Sequence, residues 1–355
     1  MAIRWIAAVA AFAVAAFLGI TLLGDFSGDG AGNSWALVAA IALAVAFVAY
    51  AAVEYAQTGG LASVGRQFDM RTLALMPVAI AINIVLGAAV ANALKIPIYL
   101  DSIGTILVGA LAGPIPGALT GFLANILWQY VIPPPFGSTF AAPFAIVAAV
   151  IGLLAGIFGR AGWLRPRPDS GGMALLVGAA VALVIVAALG VYAYTRFYGE
   201  TFEFFNPDGT DAVFAILGWL IAAIFLAFVA GFLALLFVRR DLTVAYVTVA
   251  GVGTGVVAAL ISAPISANLF SGVTGSGTDF LVAAFRQAGS DIQTATFQQG
   301  LLSDPVDKLV TFFVVYLILA AMARRTKARF PQGERLLDAG ASEADEDGEW
   351  RGATA

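Results

Sequence analysis

The chain has 355 residues, 61% of them hydrophobic and only 11% charged, with a net charge of −4 and a mean hydropathy of +0.94. Ordinary globular chains carry about 25% charge, so this composition excludes a water-soluble globular protein. Cys and His are absent, which removes thiolate nucleophiles, disulfides, imidazole bases and the commonest ligands for zinc, copper and haem. No enzyme activity, no cofactor, no metal and no nucleic-acid partner is therefore expected.

Apolar runs of about 20 residues, the length that crosses a bilayer as a helix, recur along the sequence. They predict an all-α integral membrane protein, a helical bundle of about ten transmembrane segments. The first run, 4 to 23, follows Arg4; its length favours an uncleaved span over a signal peptide, and with 35 to 55 it forms a helix pair within residues 1–56. Further spans are predicted at 71 to 94, 139 to 160, 172 to 195, 213 to 238, 243 to 266 and 306 to 323.

The segment 103 to 131 is interrupted by Gly113-Pro114-Ile115-Pro116-Gly117. As one helix it would be about 43 Å long, against a hydrocarbon core of about 30 Å. The basic residues decide the matter. Arg4, Arg66, Arg71, Arg160, Arg165, Arg167, Arg239, Arg240, Arg324, Arg325, Lys327 and Arg329 all fall on the cytoplasmic side only if 103 to 131 crosses twice. That choice puts both termini on the cytoplasmic side of the cell membrane. It makes 95 to 102, 132 to 138, 196 to 212 and the long 267 to 305 outer loops, with an amphipathic stretch from Phe280 to Leu302 on the outer interface. The tail, 331–355, holds Glu343, Asp345, Glu346, Asp347 and Glu349 and reads as a disordered, solvated end.

Polar residues within or beside the spans are the candidate ligand contacts. Asn83 and Asn125 lie inside spans, where ion-driven carriers usually hold acids. Asp101, Trp128, Gln129, Asn268, Asp304, Asp307 and Lys308 fall near outer span ends. There they either converge on a ligand or anchor the helix at the interface, and the last three sit where charges ordinarily mark a helix end. Asn125 and Trp128, three apart, share a helix face. The run Gly272-Val-Thr-Gly-Ser-Gly-Thr-Asp279 is glycine-rich but lacks the Lys and the strand-to-helix setting of a phosphate loop; it reads as an outer loop that contributes Thr278 and Asp279 to a pocket. Ala74, Ala81 and Ala88 recur every seven residues and offer a face for close helix approach, within the chain or to a partner.

Two blocks carry a family resemblance. Ala81-Ile-Asn-Ile-Val-Leu-Gly87 with the stretch from Leu94 to Trp128, and Ile261-Ser-Ala-Pro-Ile-Ser-Ala267 with Gly272 to Asp279 and Gly300-Leu-Leu-Ser-Asp-Pro-Val-Asp-Lys308, resemble the substrate-binding S components of energy-coupling factor (ECF) transporters. The resemblance implies a six-helix core that binds a vitamin or similar small micronutrient from outside and hands it inward within an ATP-driven complex. Its partners would be a coupling subunit and two ATPase subunits. The S-component-like domain would span 71–330, its core 71–165 and 243–325, with a helix pair inserted at about 172–238. The added pair at 1–56 and the inserted pair each return the chain to the same side, so core topology is preserved. The first core helix departs from the family in lacking an Ala-x-x-x-Ala docking pattern, for which the stripe Ala74, Ala81, Ala88 would substitute. A self-sufficient secondary transporter and a membrane sensor or assembly scaffold are the alternative functions.

Overall fold

The computed structural model describes residues 2–22, 31–94, 98–133, 137, 139–168, 170–197, 240–337 and isolated helical positions between 223 and 238. Among these residues there is no strand. In chain order the elements are α1 (Ala2–Leu22), α2 (Ala31–Thr58), the single turn α3 (Ala62–Gly65) and α4 (Met70–Gly87), which continues as a π-helical stretch, Ala88–Ala93. Next come α5 (Ile103–Ala112), α6 (Pro114–Val131), a 3-10 segment (Thr139–Phe144) running into α7 (Ala145–Arg160), and α8 (Gly172–Phe197). The last are α9 (Thr243–Phe270), α10 (Asp279–Gln287), α11 (Ile292–Ala321), α12 (Arg324–Ala328) and a 3-10 turn at Gly333–Leu336. Most of the predicted span 213 to 238, the loop 196 to 212 beyond Phe197, and the acidic tail from 338 onward lie outside the described residues.

Among the described residues, five helices are long and apolar enough to cross a membrane: Ile3–Leu22, Asn33–Thr58, Met70–Val90, Ala141–Arg160 and Thr243–Phe270. On α1, Ile3, Ile6, Val9 and Phe17 are each more than 60% exposed, a continuous apolar face that hydrocarbon solvates and water does not. The chain is a multi-pass helical membrane protein. Three more helices have the length to cross, α6 with 18 residues, α8 with 26 and α11 with 30, about 27, 39 and 45 Å; α6 and α11 carry polar residues that face inward.

The chain reverses at Gly113, whose φ of 131° suits glycine and where a Cβ would run into the Gln67 and Gln332 side chains. Pro114 and Pro116 fall in the first turn of α6, where amide donors lack intrahelical partners anyway. All ten residues of α5 are buried, packed among α4, α6, α7 and α11. A helix of about 15 Å is therefore enclosed by protein instead of facing lipid.

The basic residues gather at one end. Arg71 Nη1 donates to Arg329 O at 3.2 Å, Arg335 Nη1 to Arg160 O at 2.7 Å, and the Arg167 amide to Asp241 at 3.0 Å. Gln332 N–H donates to Leu111 O at 2.8 Å, so the segment after α12 closes the C-terminal carbonyls of α5 and α7. Leu336 is fully buried; packed chain thus extends to Leu337, past the predicted start of the tail at 331.

The region 267 to 305 differs most from expectation. It is not a long loop: α9 runs on to Phe270, and α11 starts at Ile292, 14 residues before the predicted span. Asp291 caps α11, accepting from Thr294 N–H at 3.0 Å and the Thr294 hydroxyl at 2.7 Å, donors that hold its carboxyl below the usual aspartate range. Nor does 280 to 302 form one interfacial stretch. Helix α10 buries Leu281, Val282, Ala284 and Phe285, and the start of α11 packs along α9.

Helix α4 turns Thr72, Met76, Ala79, Ile80, Asn83 and Gly87 inward. Ala74 and Ala81 are exposed and Ala88 is half-buried, so the first two take no part in packing within the chain.

Candidate substrate-binding cavity

An internal cavity of about 180 Å³ lies among the loop 98–102, α6, α7, α9, the turn 274–276 and α11. It is smaller than the roughly 300–1,000 Å³ typical of drug-sized ligand sites, so it has room only for a small molecule. Asp101, Asn125, Trp128 and Gln129 all line it. Thr278 and Asp279 do not, but they hold the turn that does. Asp279 accepts from Thr274 N–H at 2.9 Å and Gly275 N–H at 2.7 Å. The Thr278 hydroxyl pairs with Tyr99 Oη and with Ser276 Oγ, both at 2.7 Å. Asn268 lies apart from the cavity and accepts from Gln293 at 2.7 Å.

Asp304, Asp307 and Lys308 are not interfacial anchors. They sit near the middle of α11 and are 6%, 0% and 4% exposed, which is why the hydropathy drop at 303 to 308 does not mark a helix end. Two of the three, Asp307 and Lys308, are buried as a pair, which offsets their desolvation. Lys308 Nζ donates to Asp307 at 2.5 Å, to Ser102 at 2.9 Å and to Asp101 at 3.3 Å. The other Asp307 oxygen accepts from the amides of Tyr99 at 3.0 Å and Leu100 at 2.8 Å. Leu100 has a φ of 52°, a costly conformation for leucine, and Asp307 holds it there, setting where Tyr99 and Asp101 project.

Asp304 lines the cavity and, among the described residues, accepts from two hydroxyls, Ser262 at 3.1 Å and Ser303 at 3.3 Å. The expectation that spans hold amides and no acids is thus overturned. Of the two amides, Asn83 is structural: it accepts from Gly104 N–H at 2.8 Å and donates to Thr105 at 2.7 Å, capping α5. Asn125 Oδ1, by contrast, is buried without a hydrogen-bond partner.

Sequence reading did not single out Tyr99, Ser102, Ser262 or Gln299, which also line the cavity. The spacing of Ser262 and Ser266, four apart on α9, was the available signal.

Trp128 is 7% exposed, and a Cβ at Gly87 would overlap the far edge of its ring. Gly87→Ala is therefore expected to destabilise the protein by about 1–3 kcal/mol through overpacking. Adding Trp128→Phe should recover most of that loss, read by denaturant unfolding in detergent as a double-mutant cycle. Additive losses would show that the ring is not the obstacle.

No family model, curated protein or solved structure matches the chain. Fold and cavity define a class: a multi-pass helical membrane protein with a partly open, charged cavity built from several helices.

Proposed function

We propose that the protein is the substrate-capturing subunit of an ECF-type importer for a small micronutrient, with separate coupling and ATPase subunits supplying the energy. The observation that carries this reading is the cavity, which combines an aromatic wall (Trp128) with acceptors at Asp101, Asn125 and Asp304, the polar-on-apolar make-up of a small-molecule site. The sequence resemblance through Asp101, Asn125, Trp128 and Gly300 to Lys308 supports it. Exposed Ala74 and Ala81 on α4 supply a surface for the coupling subunit. Purification from native membranes should recover two ATPases and a coupling subunit with the chain. A complex without ATPases would refute the subunit reading.

The orientation follows from charge. The basic end faces the cytoplasm and the cavity, at the opposite ends of α5, α6 and α9, opens outward, in a chain with about ten crossings. Single cysteines can be introduced against a background with none. Impermeant maleimide on intact cells should label Val273→Cys and spare Arg325→Cys until the membrane is opened. The reverse pattern would turn the cavity inward.

A secondary transporter is the second reading, favoured by one observation: Asp304 is a buried carboxylate with no ion-pair partner among the described residues, as in ion-coupled carriers. Gradient-driven uptake by the purified chain alone would select it.

A further inference from the structure

We propose that this cavity selects a small organic cation, a protonated amine carried on a flat ring. The inference rests on the cavity being the substrate site and names the substrate's charge.

Among the described residues, Asp101 and Asp304 line the cavity with one ammonium, Lys308, which is paired with Asp101 and with the neighbouring Asp307; three carboxyl groups thus stand against one cation. Lys308 has no donor to spare. An ammonium offers three hydrogens, and Asp307, Ser102 and Asp101 accept them. An anionic ligand would meet excess negative charge and no free cation. Asp304, held among the described residues by two serine hydroxyls, keeps acceptor capacity toward the cavity, as a carboxylate offers about four lone-pair sites. Asn125 Oδ1 is a further acceptor with nothing to accept. The lining is thus acceptor-rich, and a buried carboxylate without a cation is costly until one arrives. Tyr99, Trp128 and Phe144 also line the cavity, and aromatic faces attract cations most strongly when water is excluded. Ammonium to Asp304 and ring to Trp128 satisfies both features in one small molecule.

The test is a titration of the purified full-length protein in detergent, followed by thermal unfolding. The probes are benzylammonium chloride, benzyl alcohol, sodium benzoate and sodium chloride at matched ionic strength. Benzylammonium should raise the melting temperature saturably, and the other three should not. Asp304→Asn should weaken the benzylammonium effect by about 10- to 150-fold, the range for one charged hydrogen-bond partner. Asp101, whose side chain is 32% exposed, should tolerate Asp101→Asn and show a smaller loss in the same direction, which keeps the test decisive if the Asp304 variant fails to fold. Stabilisation by benzoate at the same concentration, an equal effect of sodium chloride, or no difference among the ring compounds overturns cation selection. The subunit reading fails separately, on a purified complex that lacks ATPases.

Discussion

Asp307→Ala is expected to be among the most damaging single changes in the protein, lowering stability by about 3–5 kcal/mol, the cost of breaking a buried ion pair. The side chain is fully buried and serves three donors at once: Lys308 Nζ and the amides of Tyr99 and Leu100. Alanine leaves the buried ammonium, among the described residues, with only Ser102 and the partly exposed Asp101 as partners and orphans two backbone N–H groups, each a further desolvation penalty. Without its acceptor, Leu100 also loses the reason to stay at positive φ, so Asp101 and Tyr99 leave their places at the cavity. Adding Lys308→Met removes the poorly paired charge and should recover a large part of the stability. It should not restore ligand binding, because the loop 98–102 still lacks its anchor. Denaturant unfolding in detergent reads the first effect and ligand titration the second. A single Asp307→Ala variant within about 1 kcal/mol of wild type would mean that the pair contributes little beyond its own desolvation.

The network around Asp307 also shows where sequence reading runs out. Apolar runs and Gly-Pro punctuation are local signals, and they were enough to place α1, α2, α4, α7 and the reversal at Gly113. Asn125 and Trp128 were legible as one helix face because their spacing is local too. Asp307 and Leu100 are 207 positions apart, and no local pattern reveals that a charge in an apolar run has its partner there. Without the partner, Asp304, Asp307 and Lys308 read as a helix end, and the first 14 residues of α11 read as loop. Thr278 and Asp279 were recognised by their polarity and their position in an outer turn, but the hydrogen bonds of Asp279 point into the turn itself and Thr278 ties that turn to Tyr99. The exposure of Ala74 and Ala81 was equally out of reach, since the stripe has the same spacing whether it meets a helix of the chain, lipid or another subunit.

Small-residue spacing carried more information than the alanine stripe suggested. With 39 glycines in the chain, any one Gly-x-x-x-Gly match is weak, yet Gly251 and Gly255 form the seam along which α11 lies on α9. A Cβ on Gly251 would meet the backbone of Leu309, and one on Gly255 the backbone of Asp304 and Pro305. Backbone cannot move aside as a side-chain tip can, so helix separation is the only relief. Gly255→Val is therefore expected to cost about 3 kcal/mol or more, at the upper end for overpacking. Because the displaced segment begins at Asp304, the same change should withdraw that carboxylate from the cavity and abolish ligand-dependent stabilisation. Gly253, on the same helix, has open space where its Cβ would be. Gly253→Val should then shift stability by no more than about 0.5 kcal/mol, as at an unconstrained surface position, and leave ligand response intact. Thermal and denaturant unfolding of the two variants, each with and without ligand, makes the comparison. Equal losses at 253 and 255 would show that the cost does not arise at the seam, and would detach the fit of α11 against α9 from the geometry of the site.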